Sequence, residues 1–125
     1  MIWLAVLTGG AIGSLARHGV NVALGLVLHR PSPYATAVVN LVGASIIGLL
    51  AGLIASGRLH LSAPLRAFVF VGVLGGFTTF SSYMLDTLTL AYTGEPGVAF
   101  MNVAGQTMFG LVAVWAGYSL GLTIR

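Results

Sequence analysis

The chain has 125 residues, 58% of them hydrophobic and 6% charged, with a net charge of +3 and a mean hydropathy of +1.03. A water-soluble domain of this size cannot hide so much apolar side chain, so membrane-spanning helices are expected. The absence of cysteine excludes disulfides and thiolate metal sites, and five scattered arginines with no lysine form no basic stripe for nucleic acid.

Hydropathy and Pro/Gly punctuation predict four spans in a single all-α membrane domain, residues 1–125. The first covers about 2–28. It starts apolar at Ile2 with no basic leader and no A-x-A-like cleavage site, so it reads as a span and not as a signal peptide. It ends at His29-Arg30-Pro31-Ser32-Pro33, where two prolines oppose helix continuation. The second covers about 34–55 and ends at Ser56-Gly57-Arg58. The third covers about 64–92, opening near Pro64, a residue suited to a first turn. After the loop Thr93-Gly94-Glu95-Pro96-Gly97 comes the fourth span, about 98–122. Small residues recur four apart at Gly9 and Gly13, Gly48 and Gly52, Gly72 and Gly76, and Gly117 and Gly121, a pattern that lets membrane helices pack with close backbones.

Polar residues within the spans are few, and at membrane depth they must face protein or water. Arg17 and Asn21 lie one turn apart in the first span, Thr36 and Asn40 in the second, Asn102 and Gln106 in the fourth, with Gly43 and Gly110 continuing the last two rows. A single such pair reads as interhelical glue; three stripes together suggest a polar pathway. The third span carries Gly75-Gly76-Phe77-Thr78-Thr79-Phe80-Ser81-Ser82-Tyr83, a run that weakens a helix. Non-helical backbone at membrane depth is tolerated only where it is buried in protein or lines a wet cavity. A break is therefore expected at 75–79, with carbonyls freed from intrahelical bonding.

Asp86 is the one acid inside a span, and the simplest role for it is to pair with an arginine such as Arg17. A cation path wants acidic side chains, which are nearly absent. An anion wants hydrogen-bond donors without tight binding, and Asn40, Thr79, Ser81, Ser82 and Gln106 all supply them. Phe80 and Tyr83, three residues apart, share a helix face, and ring edges carry the positive part of the aromatic quadrupole. Ordinary core packing is the competing reading of such a pair.

These residues resemble the CrcB/Fluc fluoride ion channels along the whole chain. The stretch Gly9-Gly10-Ala11-Ile12-Gly13-Ser14-Leu15-Ala16-Arg17 is similar to the family's first-helix signature. Thr36-Ala37-Val38-Val39-Asn40-Leu41-Val42-Gly43 looks like its second-helix motif, and 75–83 resembles the third-helix signature. The resemblance implies an antiparallel, dual-topology homodimer, or a pair with a homologous sister chain, with a pore along each side of the interface. It implies a fluoride path lined by Asn40, Phe80 and Tyr83, with Thr36, Thr79, Ser81, Ser82, Asn102 and Gln106 as further polar positions. Tyr83 stands where many members carry Phe, and Asn102 and Gln106 stand where members often carry Tyr or Ser. Arg17 matches a vestibule charge that attracts anions. The resemblance also implies a structural sodium ion (Na+) held at the dimer centre by the backbone carbonyls of Gly75 and Thr78.

The implied activity is passive fluoride export across a bacterial or archaeal plasma membrane, with no enzymatic chemistry. A small dual-topology multidrug antiporter is the alternative in the transporter class, but it needs a carboxylate in the first helix and none lies in 1–28. A non-transporting membrane assembly subunit is the alternative in the interaction class. With four spans, Arg58, Arg66 and Arg125 fall on one side and Arg30 on the other, a small bias that predicts insertion both ways up.

Overall fold

The structure is a computed structural model that describes residues 1–28 and 33–124. The loop expected at 29–32, with Arg30, lies outside the described residues, as does Arg125. Helix α1 is Ile2–Leu28 and α2 is Pro33–Ala55. The next arm starts as α3, Ala63–Arg66, widens into a π-helical stretch, Ala67–Leu74, and narrows again as α4, Gly75–Phe77. Helix α5 is Phe80–Tyr92 and α6 is Pro96–Thr123. Prolines stand within the first two residues of α3 and α6, where a missing N–H costs no helical bond. Pro96 therefore opens α6 and does not belong to the preceding loop. Gly57 and Gly94, at φ 71° and 89°, make the turns that end α2 and α5.

Three stretches are long and apolar enough to cross a bilayer: Tyr34–Ala55, Ala63–Tyr92 and Pro96–Thr123. Helix α1 has spanning length, about 40 Å at the α-helical rise, with Arg17 and His18 in its middle. Among the described residues, the buried hydrophobics are Ala35, Val39, Leu74, Tyr83 and Ala99, whereas Trp3, Phe100, Phe109 and Trp115 stand outward. That is the surface of a protein whose solvent is lipid.

Two glycine seams order the helices. Along one, α1 lies on the 63–77 arm. A Cβ on Gly9 would sit 2.5 Å from the Phe68 carbonyl oxygen, and one on Gly72 2.8 Å from the Gly9 Cα. Along the other, α2 lies on α6, and a Cβ on Gly121 would meet the Leu49 carbonyl oxygen at 2.5 Å. All four glycine pairs expected from spacing lie on these seams. At the end of the second seam Arg58 Nη1 donates to the Leu122 and Gly121 carbonyls at 2.9 and 3.3 Å, satisfying groups that the end of α6 leaves bare.

The π-helical stretch sits inside the first seam. At its end the Gly75 N–H reaches back to both the Gly72 and Phe70 carbonyls. Its wide turn pushes backbone toward α1, and Gly13 accommodates it: a Cβ there would collide with the Val73 carbonyl oxygen and lie 2.8 Å from the Phe77 nitrogen.

Candidate functional site

Between α4 and α5 the chain is extended for two residues, Thr78 (φ −77°, ψ 158°) and Thr79 (φ −150°, ψ 120°). The weak point expected across 75–79 is thus narrower: Gly75, Gly76 and Phe77 remain helical. The Thr78 N–H and hydroxyl both bond the Leu74 carbonyl, closing the upstream arm. The Thr79 hydroxyl accepts from the Ser82 N–H at 3.2 Å and caps α5. The sequence offers Thr79 as a pore donor; in the structure its hydroxyl donates to Ser82 Oγ at 3.1 Å and lies 3.3 Å from Ser81 Oγ.

Asn40 on α2 holds the extended pair. Its Oδ1 accepts from the Thr79 N–H at 2.9 Å and its Nδ2 donates to the Thr79 carbonyl at 3.1 Å. The side-chain amide thereby replaces the helical partners that Thr79 lacks. One turn on, Gly43 leaves room for the Thr78 methyl, which a Cβ at 43 would strike.

From Asn40 a row of amides runs onto α6 and back to α5. Asn40 Nδ2 donates to Gln106 Oε1 at 2.9 Å, Gln106 Nε2 to Asn102 Oδ1 at 2.9 Å, and Asn102 Nδ2 to Thr87 Oγ1 at 2.8 Å. Thr87 Oγ1 then donates to the Tyr83 carbonyl at 2.8 Å. Two of the polar stripes predicted from spacing, on α2 and α6, are therefore brought together. The third is not: Asn21 is exposed on α1. Sequence reasoning misses Thr87 and Thr107, although Thr87 lies one turn beyond Tyr83 and Thr107 next to Gln106.

The two aromatic rings meet edge to face, with centroids 5.9 Å apart and planes at 67°. Their settings differ. Phe80 is 73% exposed, whereas Tyr83 is buried and its hydroxyl donates to the Val103 carbonyl at 3.0 Å, with Thr107 Oγ1 at 3.3 Å. A groove of about 390 Å³ runs past Phe80, Thr79, Asn40, Gly75, Leu74 and Phe70.

The charges do not pair as expected. Asp86 Oδ2 accepts from Thr36 Oγ1 at 2.6 Å, so the Thr36 hydroxyl serves that carboxylate and is not a free donor. Arg17 Nη1 donates to the Thr78 carbonyl at 3.5 Å. The reason is packing: among the described residues, α1 contacts the 63–77 arm and not α5, which carries Asp86. Arg17 nonetheless brings positive charge to the extended pair.

Residues 4–118 match the family described as CrcB-like protein, Camphor Resistance (CrcB). The chain is similar to the "Fluoride-specific ion channel FluC" of Opitutus terrae, 45% identical over 118 residues, 94% of this chain and 89% of that one. It is similar to the protein of the same name from Paracoccus denitrificans, 47% identical over 120 residues, 95% and 93% of the two chains. A third such relative, from Thermus thermophilus, is 43% identical over 119 residues, 95% and 94%.

Proposed function

The chain belongs to the CrcB family, and from that premise we propose that it is a fluoride-selective channel, not an enzyme, in the cell membrane. The observation that carries the reading is the first turn of α5. There an exposed Phe80 ring, edge to face with Tyr83, stands at a helix N-terminus beside the Asn40–Thr79 clasp. Helix N-termini favour anions, and ring edges do so without a formal charge that would trap the ion. The carboxylate nearby, Asp86, is held by Thr36. Hydrogen fluoride crosses lipid uncharged and dissociates inside. A negative-inside potential then drives the anion out with about 2.3 kcal/mol per 100 mV.

The pore is formed by two copies. Four spans per subunit, α1, α2, the 63–92 segment and α6, assemble as an antiparallel homodimer, or with a sister chain. Support comes from the open groove and from Gly75, whose added Cβ would meet nothing closer than the Phe70 carbonyl oxygen at 3.7 Å. Gly75 and Thr78 also suit a structural sodium ion. The Thr79 N–H, which a continuous helix would aim at the Gly75 carbonyl, goes to Asn40 instead. Among the described residues the Thr78 carbonyl has only the long contact from Arg17. Two such carbonyls from each subunit would offer four hard oxygen ligands. Bound there, the ion supplies charge compensation and a tie between subunits.

The decisive test is efflux from proteoliposomes followed with a fluoride-selective electrode, chloride serving as control. Fluoride leaves and chloride stays. Equal flux of both ions, or none, overturns the reading.

A further inference from the structure

An anion passing the aromatic pair needs N–H or O–H groups that are not already donated elsewhere. Each polar side chain around α5 has a definite proton inventory. The Thr36 proton goes to Asp86, the Thr79 proton to Ser82, the Thr87 proton to the Tyr83 carbonyl and the Tyr83 proton to the Val103 carbonyl. Asn40 has two N–H groups, and both are engaged, one by the Thr79 carbonyl and one by Gln106 Oε1.

The direction of the amide row is dictated at both ends. At the first end the Thr79 N–H can only donate, so Asn40 must turn Oδ1 toward it. That turns an Asn40 N–H toward Gln106, which must answer with Oε1 and so present Nε2 to Asn102. At the other end the Tyr83 carbonyl can only accept, so Thr87 donates to it and receives from Asn102 Nδ2. Reversing any one amide would set donor against donor and acceptor against acceptor. After these bonds are made, Gln106 and Asn102 each keep one uncommitted N–H among the described residues. They stand one turn, about 6 Å, apart along α6.

Resting on the channel reading above, we infer that the second N–H groups of Gln106 and Asn102 are the side-chain amide donors that touch the permeating anion. Asn40 is a positioning residue: it clasps the Thr79 peptide and sets the polarity of the row. The two α6 amides are then successive steps for the ion, and specificity at these steps resides in α6.

The chain contains only four side-chain amides, Asn21, Asn40, Asn102 and Gln106, so their nitrogen–proton NMR signals form a small, assignable set. Full-length protein in lipid nanodiscs, uniformly labelled with nitrogen-15, is titrated with sodium fluoride and, separately, sodium chloride. Fluoride shifts one proton of Gln106 and one of Asn102, leaves both protons of Asn40 in place, and chloride shifts none of them. Shifts of Asn40 with Gln106 and Asn102 unmoved overturn the inference, and so does the absence of any shift in protein that conducts fluoride. Protein that conducts no fluoride in liposomes overturns the channel reading itself, a separate result. In efflux, Gln106→Met, which keeps length and removes the donor, loses most fluoride flux; wild-type flux in that variant also overturns the inference.

Discussion

The glycine seams and the junction at Thr78–Thr79 hold the same helices together by opposite means. In the seams backbone lies on backbone, and the constraint is shape: a single added methyl strikes a carbonyl or an amide that cannot move aside. At the junction the contacts are directional bonds between groups whose protons can be counted. Close packing drives association where lipid removes the usual hydrophobic incentive, and it carries no chemistry. The junction contributes less cohesion but presents chemical groups. This protein separates the two tasks in space.

The largest expected effect belongs to the seam. Gly13→Leu forces side-chain atoms into the Val73 carbonyl and the Phe77 amide. No folded protein is recovered by size-exclusion chromatography in detergent; a folded, conducting variant would mean that the seam yields. Phe80→Ile touches the junction alone. Phe80 is 73% exposed, so folding is kept while fluoride efflux falls to background. Full efflux in that variant removes the ring edge from the mechanism.

Asn40→Asp comes next. A carboxylate still accepts from the Thr79 N–H but faces the Thr79 carbonyl and Gln106 Oε1 without a proton to offer. Efflux is blocked in protein that still folds. Gly75→Ala meets open space within the subunit, so monomer stability by thermal melting stays unchanged. The dimer, followed by cross-linking or glutaraldehyde capture, weakens; a melting loss without dimer loss would place Gly75 in the wrong interface. Tyr83→Phe is the mildest. It deletes one hydrogen bond to the Val103 carbonyl, a class worth about 0.6 kcal/mol on average in membrane proteins. Efflux persists and melting drops slightly.

The seams were legible in the sequence because close backbone contact needs small residues at helical spacing, and Gly9, Gly13, Gly48 and Gly52 display that spacing without further information. The amide row was legible only as separate stripes. Joining Asn40 to Gln106 requires knowing that α2 lies on α6, which no local pattern states. The same ignorance of neighbours made Arg17 a natural partner for Asp86, until α1 is seen to lie on the 63–77 arm. The double glycine drew attention to 75–76, yet both residues stay helical. The extension falls at Thr79 because Asn40 takes over that residue's peptide group, a tertiary cause.

The π-helical stretch at Ala67–Leu74 closes its turns over one residue more than an α-helix does. The gene is therefore spelled one letter long between the first seam and the junction, and the surplus residue acts as a phase setting. Deleting a single residue there would let the turn relax to α and rotate everything downstream by about 100° about the helix axis. The Thr79 peptide would then turn away from Asn40. Substitutions in 67–74 change side chains; a one-residue gap would change the direction in which the whole of α5 is aimed.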